Sequence, residues 1–261
     1  MPEVFAQSVK ASGPRIHLMD EVRGFAVLCM IVYHGLYLFA DIFHWSAFVP
    51  ILRFFYPAEP FFAAAFIFIS GISSQLSHSN LARGLKLAAV ALVVTAATYL
   101  VVPDSVIIFG VLHMLAFCMI FFGLTASLLQ KIPFWPGFLS CLILFLLTWG
   151  LSPHNPVPYV GIPPLLEWKI PDSWMQTDWL CFLGLHTETF VSGDYFPIFP
   201  WMFVFLGGTF VGRFAKAGKF PSFTYKRRIP FFSLVGRHAL LLYVLHQPVL
   251  FGVCLLIQWL L

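Results

Sequence analysis

The sequence predicts an all-α polytopic membrane protein of about seven transmembrane helices, with its N-terminus in the cytoplasm and its C-terminus outside. Three observations predict it. The 261 residues are 60% hydrophobic and only 10% charged, against roughly 45–50% and about 25% in a soluble domain. So little polar surface cannot cover a globule in water, and lipid must be the solvent. Apolar stretches recur at residues 22–43, 57–77, 81–102, 105–129, 134–151, 196–214 and 236–260, each near the ~20 residues that a helical crossing needs. Lysine and arginine, finally, fall in alternate connections.

The first stretch follows a polar N-terminal segment, 1–21, with no small-residue cleavage site behind it, and is expected to stay as a membrane helix. Short connections join the next four stretches. Pro133, Pro136, Pro197 and Pro200 stand at or near helix starts, where a missing N–H is tolerated. Two connections are long: 152–195, expected outside, and the basic 215–235, expected in the cytoplasm. Within the outer one, DWLCFLGLHTETF at 178–190 is too short to span and suits an interfacial helix or a lid over an outward-facing site. Internal repeats and a second domain are not evident, so 1–261 reads as a single membrane-embedded domain.

With the N-terminus inside, thirteen of fifteen Lys and Arg lie on the cytoplasmic side, and only Arg53 and Lys169 lie outside. Most acids, among them Asp41, Glu59, Asp178 and Asp194, fall outside. That asymmetry is the positive-inside pattern. The five cysteines have no paired or metal-ligand spacing, so neither a disulfide framework nor a metal site is expected. No nucleic-acid partner is expected.

The chemistry-bearing residues lie inside the membrane. RGFAVLCMIVYHGLYLFADIFH, 23–44, carries Arg23, His34, Asp41 and His44. At 100° and 1.5 Å per residue, His34 returns to within about 20° of Arg23 and about 16 Å above it. Asp41 lies seven residues further, and Asp20, Tyr37 and His44 are near the same stripe. Charged groups at such depth cost a few kcal/mol and must face protein or water. Asp20 and Arg23 could simply pair at the interface, and lone histidines can be satisfied core residues. Three helices nevertheless contribute histidines, since His113 and His246 lie on two others. Ser70 and Gly71 either allow close helix packing or make room for a slender ligand arm. Arg23, Arg83, Lys86 and Arg237 gather toward the cytoplasmic end, as anchors or as partners of an anionic ligand.

The segments HLMDEVRGFAVLCMIVYH, FFAAAFIFISGISS, IIFGVLHML, DYFPIFPWMFVFLGG and LVGRHALLLYVLHQPV together resemble the bacterial relatives of heparan-alpha-glucosaminide N-acetyltransferase, in the wider transmembrane acyltransferase superfamily. The polar N-terminus suggests a bacterial inner membrane, and the resemblance implies an acetyltransferase. Acetyl-CoA would bind from the cytoplasm, and its acetyl group would pass to an amino sugar, glycan or lipid-linked saccharide on the far side. It implies a catalytic histidine associated with the first helix, in one of two registers. His34 closes the RG…H pattern of the broader branches, whereas His44 is nearest to the eukaryotic enzyme's position, and that enzyme has asparagine where His34 stands. A homodimer is compatible with the resemblance. The chain is shorter than the eukaryotic enzyme, and fewer helices and no large luminal domain are expected in it, which leaves the acceptor open.

On this reading Arg23, with Arg83, Lys86 or Arg237, meets the CoA phosphates, and the pantetheine arm runs beside Ser70 and Gly71. His34 acts as general base, or becomes acetylated. His44 and Asp41 orient the acceptor, His113 donates to the oxyanion, Asp194 lies on the acceptor side, and Asp20 and His246 give interior support. A transporter or proton-coupled carrier using the same polar interior is the alternative.

Overall fold

The computed structural model describes residues 15–155 and 157–260. The expected segment 1–21 therefore lies partly outside the described residues, and Lys10 of the charge count wholly so. The fold is mostly helical. Among the described residues, seven helical spans are long and apolar enough to cross a membrane: His17–Ile42, Ser46–Gln75, Asn80–Val101, Val111–Leu129, Phe134–Leu151, Ile198–Lys216 and Ala239–Leu260. The protein is an integral membrane protein.

The first span is helix α1, His17–Tyr37, continued by a π-helical turn, Leu38–Ile42. The wider i→i+5 turn breaks the helical register on which the extrapolated polar stripe depended. The second span is not one helix. A short α2, Val49–Phe55, leads through a tight turn into α3, Glu59–Gln75, with Pro50, Pro57 and Pro60 at the first positions of its segments. Then follow α4, Asn80–Val101, α5, Val111–Leu129, and α6, Phe134–Thr148. Ser79 caps α4, its hydroxyl accepting from the Ala82 N–H at 3.3 Å, which satisfies one orphan donor of the first turn.

The connection after α6 corrects the all-α expectation. Tyr159–Ile162 (β1) and Leu166–Lys169 (β2) form an antiparallel hairpin, with Val160 opposite Trp168. Tyr159, Val160, Ile162 and Trp168 favour extended backbone, and Pro163 and Pro164 suit the turn of a short hairpin outside the spans. The expected interfacial helix at 178–190 is shorter than expected. Only Asp178–Leu183 is helical, as a 3-10 segment, and Gly184 ends it with φ 99°, a conformation glycine adopts without strain. Asp178 takes both the N–H and the hydroxyl of Thr187, and these bonds hold its carboxyl below the usual range.

The last elements are α7, Ile198–Lys216, α8, Pro230–Arg237, and α9, Ala239–Leu260. The expected seventh stretch is thus broken before Ala239, and the basic connection contains α8. The most buried span is α7, with Trp201, Phe205 and Phe210 in the core. It packs closely on α3 because both contribute glycine at the crossing. A Cβ on Gly71 would lie 2.0 Å from the Phe205 carbonyl, and one on Gly208 2.2 Å from that of Phe68. Small residues that let backbones meet are the usual membrane solution. The pair α1 and α8 uses the same device. A Cβ on Gly24 would meet the Phe232 carbonyl at 2.0 Å, and one on Gly236 that of Asp20 at 1.9 Å. Glu21 secures α8 by accepting the N–H groups of Arg228 and Ile229 at 2.7 and 2.9 Å.

Candidate active site

Two cavities lie end to end inside the helices. The first, about 380 Å³, is lined by Arg23, Ser70, Arg83, Lys86 and Arg237 among apolar residues of α4, α5 and α9. The second, about 340 Å³, is lined by His34, Tyr37, His113, Asp194 and Gln247 among many aliphatic residues. Leu112 and Tyr243 line both.

The basic cavity follows from helix starts. Arg23 lies in the second turn of α1, Arg83 and Lys86 in the first two turns of α4, and Arg237 ends α8. The close α1–α8 packing brings Arg237 beside the start of α1. Arg23 donates to Asp20 at 3.1 Å and to the Ser73 hydroxyl at 2.6 Å, and Asp20 also takes Arg15 at 2.7 Å. Asp20 therefore offsets part of this positive charge, while Arg83, Lys86 and Arg237 are exposed. Ser70 lines the cavity, although its hydroxyl donates to the Phe66 carbonyl at 2.8 Å. Gly71 does not line it, since its open face is filled by α7.

At the second cavity, His34 Nδ1 is 2.8 Å from His246 Nε2. His246 Nδ1 is 2.5 Å from the Tyr243 carbonyl oxygen, which can only accept. His246 therefore carries its hydrogen on Nδ1 and, when neutral, accepts at Nε2. His34 must then donate from Nδ1, and its Nε2 keeps a free lone pair. This tautomer is inferred from the bonding network. His246, expected as interior support, thus fixes the His34 ring as a histidine's second nitrogen commonly does.

Tyr243 is the residue that sequence reasoning missed. It stands three residues before His246, on the same face of α9, and that spacing was the available signal. Its hydroxyl donates to Asp194 Oδ2 at 2.7 Å. The same oxygen accepts the Val111 N–H at 3.1 Å, at the positive N-terminus of α5. Room for the carboxylate comes from Gly110, where a Cβ would lie 2.4 Å from Oδ2. Burial pushes the Asp194 carboxyl above its ordinary range, with the Tyr243 and Val111 bonds pulling the other way.

His113 lines the cavity, but both its nitrogens are engaged. Nδ1 accepts from Gly110 N–H at 3.3 Å. Nε2 is 3.2 Å from the Thr95 hydroxyl, which itself donates to the Ile107 carbonyl at 2.6 Å. No donor on that ring is left for an oxyanion. Asp41 and His44 are exposed and do not line the cavity. The π turn carries Asp41 off the stripe, and His44 follows with φ 54°. A separate polar cluster, also unforeseen, joins Ser152, His154 and Glu59. His154 Nδ1 is 2.9 Å from the Ser152 hydroxyl, and Nε2 is 2.9 Å from Glu59. This cluster ties the connection after α6 to the start of α3.

A cationic cavity leading to a histidine with one free lone pair can hold an anionic donor and deliver its reactive end to a base. Comparison with known proteins gives the same class of chemistry. The family described as heparan-alpha-glucosaminide N-acetyltransferase, catalytic, matches residues 15–248. No curated protein and no solved structure matches the chain. The chain belongs to that family, whose members are acetyl-CoA-dependent N-acetyltransferases, and it is a membrane acetyltransferase.

Proposed function

We propose that the enzyme takes acetyl-CoA into the basic cavity from the cytoplasmic side and transfers the acetyl group to an amino-sugar acceptor on the opposite side, with His34 as general base. The observation that carries this reading is the junction of the two cavities at Leu112 and Tyr243, beside His34 and His246. Arg23, Arg83, Lys86 and Arg237 suit the CoA phosphates. The rise of about 16 Å from Arg23 to His34 suits an extended pantetheine arm. The Lys and Arg asymmetry supports the cytoplasmic assignment of the basic end.

In the transfer, the acceptor nitrogen attacks the thioester carbon and forms the C–N bond. His34 Nε2 takes the amine proton, the C–S bond breaks, and that proton reaches the departing sulfur to give CoA thiol. His246 holds the ring in the required tautomer and shares the charge as His34 becomes protonated. General bases of this kind contribute typically about 10²- to 10⁴-fold.

The test uses the protein in sealed liposomes, with labelled acetyl-CoA at the basic face and a glucosaminide at the other. His34→Ala should lower transfer at least about 100-fold, whereas His44→Ala should keep it within a few-fold. Full activity in His34→Ala would refute the assignment.

A further inference from the structure

The second cavity opens sideways between two spans. α4 packs on α5 and α9 on α1, with no extended packing of α4 against α9. Val93, Ala97 and Val101 line the cavity at four-residue spacing, one face of α4, and all three are exposed. Across the gap, Val244, Pro248 and Phe251 line it at similar spacing on α9. Because α4 and α9 both span the membrane, that exposed edge faces hydrocarbon.

The polarity inside is uneven. His34, Tyr37, Ser105, Asp194 and Gln247 offer polar groups, and most of the remaining lining is aliphatic, from Leu38 and Ile42 to Val93, Val101 and Val244. Even Thr98 offers little there, since its one hydroxyl proton is shared between the Val94 and Thr95 carbonyls and its oxygen accepts the Ile107 N–H. A free sugar would set many of its hydroxyls against aliphatic walls that cannot bond them, a costly arrangement. A polar head attached to an alkyl chain meets both surfaces.

We infer that the acceptor is a lipid-linked amine, entering laterally from the bilayer through the α4–α9 groove with its head at His34 and its tail between the two helices. This rests on the acyl-transfer reading above and names its acceptor class. The reaction is that already written: the amide C–N bond forms, the thioester C–S bond breaks, and the amine proton passes by His34 to the sulfur.

The experiment measures acetylation of methyl, octyl and dodecyl glucosaminides by the purified protein in nanodiscs, with thermal stabilisation by acetyl-CoA recorded separately. Transfer efficiency should rise at least tenfold from methyl to dodecyl. Ala97 on α4 and Leu250 on α9 both line the cavity, so Ala97→Phe and Leu250→Trp should each flatten that rise by filling the groove. Two variants on different helices separate a blocked groove from a misfolded protein. Equal efficiency along the series would overturn the lateral route and leave the transferase reading standing. Acetyl-CoA stabilisation without acetylation of any glucosaminide would overturn this acceptor class. Absence of acetyl-CoA stabilisation would count against the donor reading itself.

Discussion

At the residue scale, base catalysis depends on which histidine has a free lone pair. His246 donates to a carbonyl and accepts from His34, so His246→Ala should lower transfer by about tenfold or more through loss of ring orientation, a smaller loss than removing the base. With acetyl-CoA and no acceptor, direct base catalysis predicts no stoichiometric burst of CoA, and an acetyl-histidine intermediate predicts one. Asp194 supplies a pH test. Its folded carboxyl binds protons more tightly than in the unfolded chain, so stability should fall as pH rises from the ordinary carboxylate range to the elevated native one, then level off. Asp194→Asn should remove that slope in thermal unfolding. Sequence spacing revealed His34 and His246 as candidates because charged and imidazole groups stand out in an apolar run. It could not reveal their hydrogen bond, which joins residues 212 positions apart. Nor could it reveal that His113 spends both nitrogens on Gly110 and Thr95.

At the element scale, helix existence was legible and helix interruption was not. Length and hydropathy identify a span, but they do not register the π turn at Leu38–Ile42 or the separate α8. Those interruptions decide the site. The first turns Asp41 away, and the second brings Arg237 to the cationic cavity. Ser70 and Gly71 looked alike in sequence as small residues, yet one lines the cavity and the other meets the Phe205 carbonyl. The α1–α8 contact can be tested directly. Gly236→Val inserts atoms where even a Cβ would come within 1.9 Å of the Asp20 carbonyl, and backbone cannot yield as a flexible side chain does. The expected result is a loss of about 1–3 kcal/mol in stability together with weaker acetyl-CoA binding. A mutant of normal stability and affinity would show that the close approach is not needed.

At the scale of the whole molecule, the basic and apolar cavities divide one path between two chemistries. Three cations are exposed at one end, and the aliphatic groove lies toward the other ends of α1 and α4. The orientation is tested with a membrane-impermeant thiol reagent in intact cells. Asp172→Cys should label before permeabilisation and Lys219→Cys only after it, the native cysteines being buried or partly so. The central claim is that the cationic cavity holds acetyl-CoA, and thermal unfolding of the purified protein tests it without knowledge of the acceptor. A ligand that binds the folded state at one hundred times its Kd stabilises it by about 2.7 kcal/mol. Acetyl-CoA should therefore raise the melting temperature saturably by several degrees, and Arg83→Ala with Lys86→Ala should shift that response to higher ligand concentration. No shift in folded wild-type protein, or an identical shift in the variant, would contradict the account.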